Sequence, residues 1–294
     1  MRGIVVGVNG SAEAEEALDW AVREAASAAV PLTLVMVAAG AGKGADPAAH
    51  EAALAPVREE GRTLLAAARA RTGLDVDGSV VAAPGPAADR LLELGADADM
   101  LVLGRRRRGR LGRAVLGSVS TTVVEHADVP VTVVRHGDPS AAPEDETTSQ
   151  DAGAPRIVVG VDTSPPSVAA LRHACEVADR SGATIDAVFA WQITTLAPLP
   201  GSWGWAPPID DYEKFASESL AAAVRAAGVT LPPDRLIRRV VHGQAAKQLV
   251  AAAQGAERLV VGARGLGGFD RLLLGSVSRQ VLDFAPCPVT VVRG

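Results

Sequence analysis

Aromatic residues make up only 3% of the 294-residue chain, too few for ladders of rings that stack bases or sugars. The core must therefore be packed from Ala, Val and Leu, which suits closely packed helices and strands. Lysine occurs three times, as Lys43, Lys214 and Lys247, so no polylysine tail exists. The two cysteines, Cys175 and Cys287, cannot build a disulfide framework; they fit a reducing compartment and read as buried free thiols. No apolar run approaches the ~20 residues that a membrane span needs, and the segment Met1 to Gly7 turns polar too early for a signal peptide. The expectation is a soluble, cytoplasmic protein. A net charge of −5 argues against a globally basic nucleic-acid binder. The histidines (His50, His126, His136, His173, His242) lack metal-ligand spacing. No Ser/His/Asp constellation, nucleophile elbow or carboxylate pair occurs, so no catalytic or metal-binding residue is assigned.

What the chain has in abundance is repetition. Gly3-Ile4-Val5-Val6-Gly7-Val8-Asn9 returns as Arg156-Ile157-Val158-Val159-Gly160-Val161-Asp162, offset by 153. Leu116-Gly117-Ser118-Val119-Ser120 returns as Leu274-Gly275-Ser276-Val277-Ser278, offset by 158. Two copies of one domain follow, residues 1–135 and 156–294, the second carrying five extra residues in its middle. Between them, 136–155 is rich in Pro, Ser, Thr and acids, holds no Lys or Arg, and reads as a flexible linker. The charge divides accordingly: −2 in the first copy, −5 in the linker and +2 in the second. The acidity thus belongs to the tether, and the folded halves are nearly neutral.

Within each copy, continuous apolar runs alternate with Ala/Leu-rich stretches of helical period. In the second copy, strands are expected at Ile157–Val161, Ile185–Trp191, Leu236–Val241, Arg258–Gly262 and Val289–Val292. Helices are expected at Ser167–Ser181, Tyr212–Ala227, Ala245–Gln254 and Ser276–Phe284. Apolar strands separated by helices imply a parallel sheet covered on both faces. The predicted fold is α/β, two tandem doubly wound domains, each a five-stranded parallel sheet.

Ligands of such sheets sit beyond the carboxyl ends of the strands, where strand order reverses. There the second copy places Gly262-Ala263-Arg264-Gly265, nine residues, then Gly275-Ser276 opening a helix. Glycines admit close backbone approach to an anion, and a helix N-terminus offers free N–H groups. Ser276 and Ser278 offer hydroxyls besides. The pattern is neither a Walker A loop nor a dinucleotide fingerprint, because no Gly-Lys-Ser/Thr and no G-x-G-x-x-G follows a first strand. Taken as turn chemistry alone, these glycines would only close a strand–helix connection; their recurrence in both copies favours a phosphate site.

G-x2-G-x9-G-[ST] after the fourth strand, with V-G-V-D-x-S at the first, resembles the universal stress proteins, and the resemblance covers both copies. It is similar to the tandem form common in actinobacteria. The resemblance implies ATP, or another adenine nucleotide, as ligand, with Mg2+ admissible beside it. By the same resemblance Val161 and Asp162 end the first strand at the nucleoside, Ser164 follows in that loop, and the backbone of Ala190 meets adenine. Gly262, Arg264, Gly265, Gly275, Ser276, Val277 and Ser278 match the phosphate and ribose positions.

The first copy retains Ser11, Val37, Gly104, Gly117, Ser118 and Ser120 but has Asn9 for the acid and Arg107 for the second glycine. A side chain at Arg107 obstructs the backbone approach, so nucleotide binding in this copy stays open. Arg105 to Arg108, with Arg110 and Arg113, offer instead an anion cradle of side chains, a nucleic-acid patch, which the lack of interleaved aromatics disfavours against a solvated or self-paired loop, or a surface on which the acidic linker folds. Trp203 and Trp205 stand where a lid or a surface-packed segment would be. The short last strands Val131–Val134 and Val289–Val292 each present an edge, which the family pairs between subunits; here the pairing is open within a chain or between chains. The reading is an ATP-binding stress-response regulator without enzymatic activity, against a nucleotide-independent interaction scaffold with degenerate sites.

Overall fold

The computed structural model describes residues 3–38, 47–105, 116–135, 155–192, 209–266 and 273–294. The linker at 136–154, Arg106, Arg107, Arg108, Arg110, Arg113, Trp203 and Trp205 lie outside them. The first half runs β1 (Ile4–Val8), α1 (Ala12–Ala28), β2 (Leu32–Ala38), α2 (Pro47–Thr72), β3 (Gly78–Pro84), α3 (Ala87–Leu94), β4 (Met100–Gly104), α4 (Ser118–His126) and β5 (Val131–Val134). The second repeats it as β6 (Arg156–Gly160), α5 (Pro165–Ser181), β7 (Thr184–Trp191), α6 (Ile209–Ala227), β8 (Leu236–His242), α7 (Ala245–Ala252), β9 (Arg258–Gly262), α8 (Ser276–Phe284) and β10 (Val289–Val292).

Every residue of β5, β9 and β10 is buried, as parallel strands with helices on both faces require. Along α5, Ala170, Leu171, Ala174, Cys175 and Ala178 are buried at helical spacing. That helix begins two residues before the expected Ser167, because Ser164 caps it and Pro165 and Pro166 pre-set its first turn. In the loop before it, Thr163 has φ of 68°, a left-handed conformation that a β-branched residue enters only with strain. The equivalent Gly10 takes φ of 72° freely. Thr163→Gly is therefore expected to stabilise the chain by about 1 kcal/mol in urea unfolding.

The two sheets expected from the sequence are one. Strand order is β3-β2-β1-β4-β5-β10-β9-β6-β7-β8. Every pairing is parallel except the seam, where β5 and β10 run antiparallel with Thr132 opposite Thr290. The edge strands thus pair within the chain. Across the seam each half closes the other's last helix. Arg293 donates to the Glu125 carbonyl at the end of α4, and Arg135 to the Ala285 carbonyl after α8 at 2.6 Å. Cations at these C-terminal carbonyls also complement the helix dipole.

Arg105 corrects the reading of the arginine run as one anion cradle or solvated loop. Its side chain is buried and donates to the Asp283 carbonyl of α8 at 2.6 Å. The apolar strand residues before it pull Arg105 into the seam.

Both cysteines are buried, and burial raises the Cys175 thiol to about 11 and the Cys287 thiol to about 12. His173 on α5 is half-buried with its Nε2 enclosed; desolvation, with the nearby Arg258 and Arg180 charges, lowers it to about 4 from 6.5. Folded His173 is then neutral while the unfolded chain takes up a proton below pH 6.5. Its contribution is present above pH 6.5 and lost as pH falls toward 4. Urea unfolding of His173→Gln should show a shallower loss of stability than wild type across that window.

Candidate functional site

In each half the strand order turns back at its first strand, between β1 and β4 and between β6 and β9. A cavity opens at each of these places, as expected at a topological switch point. The second-half cavity has a volume of about 540 Å³. Val161, Asp162, Ala190, Gly262, Arg264, Gly265, Gly275, Ser276, Val277 and Ser278 all line it.

Ser164 does not reach the cavity. It is 4% exposed, and its hydroxyl bonds to Asp162 Oδ1 at 2.5 Å and to the Arg264 carbonyl at 3.3 Å. Its role is to brace the loop beneath the site.

One end of the cavity is the start of α8. Gly275 is its N-cap and brings no side-chain hydrogen bond to the helix. The N–H groups of Ser276, Val277 and Ser278 therefore lack intrahelical acceptors and meet the cavity with the positive end of the helix dipole. The Ser278 hydroxyl is not a free donor. It is buried and gives its proton to the Gly262 carbonyl at 2.6 Å. Ser276 and Arg264 are both exposed and line the cavity.

Asp162 organises the loop. Its Oδ1 accepts from the Ser164 N–H at 3.1 Å, and its Oδ2 accepts from the Leu266 N–H at 3.0 Å. This second bond draws the Gly265–Leu266 peptide so close that a Cβ on Gly265 would overlap the carboxylate. Gly265 is thus a glycine on account of Asp162, before any ligand is considered. Gly262 has another reason again: its Cβ would lie 2.7 Å from the Pro166 carbonyl carbon and 2.8 Å from the Ser167 nitrogen. Helix α5 crosses the strand there, so this glycine serves helix–strand packing and not anion approach. A Cβ on Gly275 would meet the Ala263 carbonyl and the Arg264 Cα at 3.4 Å, ordinary van der Waals contact, so the protein itself does not demand glycine there.

Several lining residues escaped sequence reasoning. Val188, Phe189, Ala245 and Leu249 form apolar wall, and Ser167 and Leu266 complete the loop side. Only their place in apolar runs marked them, a signal shared with the whole core. Trp191, next after Ala190, stacks on Tyr212 with centroids 5.9 Å apart and meets His242 at 4.7 Å. The first half has Ala38 and Pro84 at the Trp191 and His242 positions.

The first-half cavity, about 500 Å³, is lined by Asn9, Ser11, Val37, Gly104, Gly117, Ser118 and Ser120, with Arg107 outside the described residues. Asn9 Oδ1 accepts from the Ser11 N–H at 3.2 Å, so the turn survives the loss of charge. Glu13 lines this cavity at the place of Pro166 in the second half. Gly104 packs as Gly262 does, because its Cβ would overlap the Glu13 carbonyl. Among the described residues no helix is long and apolar enough to cross a membrane, and no group of three or more His, Cys, Asp or Glu is placed to hold a metal ion.

With this geometry, the chain was compared with known proteins. A profile described as the Universal stress protein family matches residues 1–135 and 154–293. A universal stress protein of Mycolicibacterium smegmatis is 34% identical over 301 residues, covering 99% of this chain and 97% of the relative. One from Mycobacterium tuberculosis is 35% identical over 310 residues, with the same coverages. These relatives carry the family name with no catalytic activity attached. The crystal structure of a universal stress protein from Archaeoglobus fulgidus superposes with a TM-score of 0.69 at 17% identity, over 99% of this chain and 98% of that one. That likeness is one of fold, a Rossmann-like α/β arrangement spanning both halves. By sequence, by tandem organisation and by fold, the chain belongs to the universal stress protein family.

Proposed function

We propose that this chain binds an adenine nucleotide, ATP, in the cavity of its second half and acts by occupancy as a cytoplasmic stress-response regulator. The observation that carries this reading is the uncapped start of α8 facing a cavity of about 540 Å³ at the switch point. Oriented N–H groups and a helix dipole suit a phosphate chain. The apolar wall of Val188, Ala190 and Leu249 suits a base. Arg264 provides the charge partner, and Mg2+, where used, arrives with the triphosphate.

In the first half Asn9 removes the strand-end acid and Glu13 sets a carboxylate at the first turn of α1. A carboxylate there opposes a triphosphate, so this half is the weaker site. Titration calorimetry with ATP, AMP and cyclic AMP, together with mass spectrometry of nucleotide released on denaturation, tests the reading. The expected stoichiometry is near one ATP per chain. No heat and no released nucleotide at millimolar concentration would favour the scaffold with degenerate sites.

A further inference from the structure

The strands at the seam cannot choose their partner. Val131-Thr132-Val133-Val134 and Val289-Thr290-Val291-Val292 are identical in sequence. Their central hydroxyls meet each other at 2.8 Å. Joining two first halves, or two second halves, from separate chains would make the same ladder. Something beyond the strands must make the junction unlike.

One face of the sheet carries a continuous apolar core from Leu101 and Val133 to Val291 and Leu259. Beside it lie two unlike contacts: Arg105, whose second-half counterpart is Ala263, reaches Asp283, and Arg279, whose first-half counterpart is Thr121, pairs with Glu125 at 2.7 Å. On the other face the cores under α1 and α5 stay separate, and a polar cluster crosses between the halves. Glu24 of α1 pairs with Arg258 of β9, their side chains 8% and 2% exposed. The Arg258 guanidinium also lies 4.8 Å from the centroid of Trp20 and bonds to Glu257 at 3.0 Å. Arg180 of α5 approaches Glu24 at 4.0 Å. Arg258 Nε and Nη1 have no hydrogen-bond partner among the described residues, so as adhesive the pair is poor. Buried pairs of this kind act better as specificity devices than as sources of stability.

The repeat offsets show what other junctions would contain. Val177 stands in the second half where Glu24 stands in the first, and Met100 stands in the first where Arg258 stands in the second. Two first halves would bury Glu24 against Met100 twice over, and two second halves would bury Arg258 against Val177. The first leaves the buried Glu24 carboxylates without Arg258, and the second leaves each buried Arg258 with Glu257 of its own half but without Glu24. We propose that the Glu24–Arg258 pair is a pairing key: it joins a first half to a second half and excludes like-with-like sheets between copies of the chain.

The test uses the full chain with a reporter for the forbidden junction. Thr132→Cys puts a thiol where two first halves would meet each other, whereas in the unlike junction it faces Thr290. After refolding at high concentration under oxidising conditions, this chain should show almost no interchain disulfide on a non-reducing gel. Adding Glu24→Val and Arg258→Met gives both halves apolar residues at the key, so all junctions become equivalent at this place. The interchain disulfide fraction should then rise at least about tenfold. Arg258→Met alone makes the unlike junction match that of two first halves at this place, and should raise the fraction too if the double variant fails to fold. Equal disulfide fractions with and without the key would overturn the proposal, as would abundant interchain disulfide in Thr132→Cys alone.

Discussion

Gly265→Ala is expected to weaken ATP binding by at least about 100-fold while the chain still folds, because one methyl group dislodges the loop below the phosphates. Its Cβ would overlap Asp162 Oδ2. Relief requires either the Asp162 carboxylate to turn aside or the Gly265–Leu266 peptide to withdraw, and either movement breaks the 3.0 Å bond from the Leu266 N–H. The same loop holds the α8 start, where the Gly275 N–H donates to the Ala263 carbonyl at 2.8 Å, and losing one or two charge-assisted hydrogen bonds there is worth about 3 kcal/mol. The loop lies at the surface, with Leu266 69% exposed, so thermal unfolding should shift by only a few degrees. Gly265→Arg, which copies Arg107 of the first half, should bind no better. Gly275→Ala separates the causes. Its Cβ meets protein no nearer than 3.4 Å, so any loss of affinity there reports contact with the ligand itself. Calorimetry showing wild-type affinity for Gly265→Ala would mean that the loop does not shape the site.

The largest effect on stability is expected from Gly104→Ala in the first half. A Cβ there would overlap the Glu13 carbonyl oxygen and stand 2.8 Å from its carbon and 3.0 Å from the Ala14 nitrogen. All three are backbone atoms of the first turn of α1, so no side chain can rotate aside. The helix must lift from β4, opening the core that holds Ala14, Ala17 and Leu18. Overpacking against backbone falls at the severe end of such substitutions, about 3 kcal/mol or more. Gly262→Ala should behave alike, since it meets Pro166 and Ser167 in the same way. Urea unfolding decides the matter; a change below about 1 kcal/mol would show that the helix has slack. Folded Gly104→Ala protein should keep the ATP affinity of the second half, in contrast to Gly265→Ala.

These substitutions mark where the sequence stops being informative. The repeat, the alternation of strands and helices and the glycine spacing are local patterns, and they were enough to set the number of halves, the element order and the end of the sheet where a cavity opens. Boundaries were less regular: α8 begins at Ser276 as expected, whereas α5 begins two residues before the expected Ser167, although Ser164-Pro165-Pro166 encodes that start locally. The spacing could not say why each glycine is one. Gly262 answers to a helix crossing it and Gly265 to a carboxylate a hundred residues away in sequence, whereas a Cβ on Gly275 would make only ordinary contacts with the protein. Ser164 and Ser278 carry the right hydroxyls, yet burial turns both toward the protein and away from the cavity.

By itself, the sequence determined a tandem of two α/β halves, their shared pattern and ten residues that line the second cavity. The tertiary structure alone decided that the halves fuse into one ten-stranded sheet, that Arg105 belongs to the seam, and that Glu24 meets Arg258. The reason is physical. Periodicity and turn chemistry act over a few residues and are written in order along the chain. The junction depends on which side chains meet across a local twofold axis, and two identical strands carry no record of that.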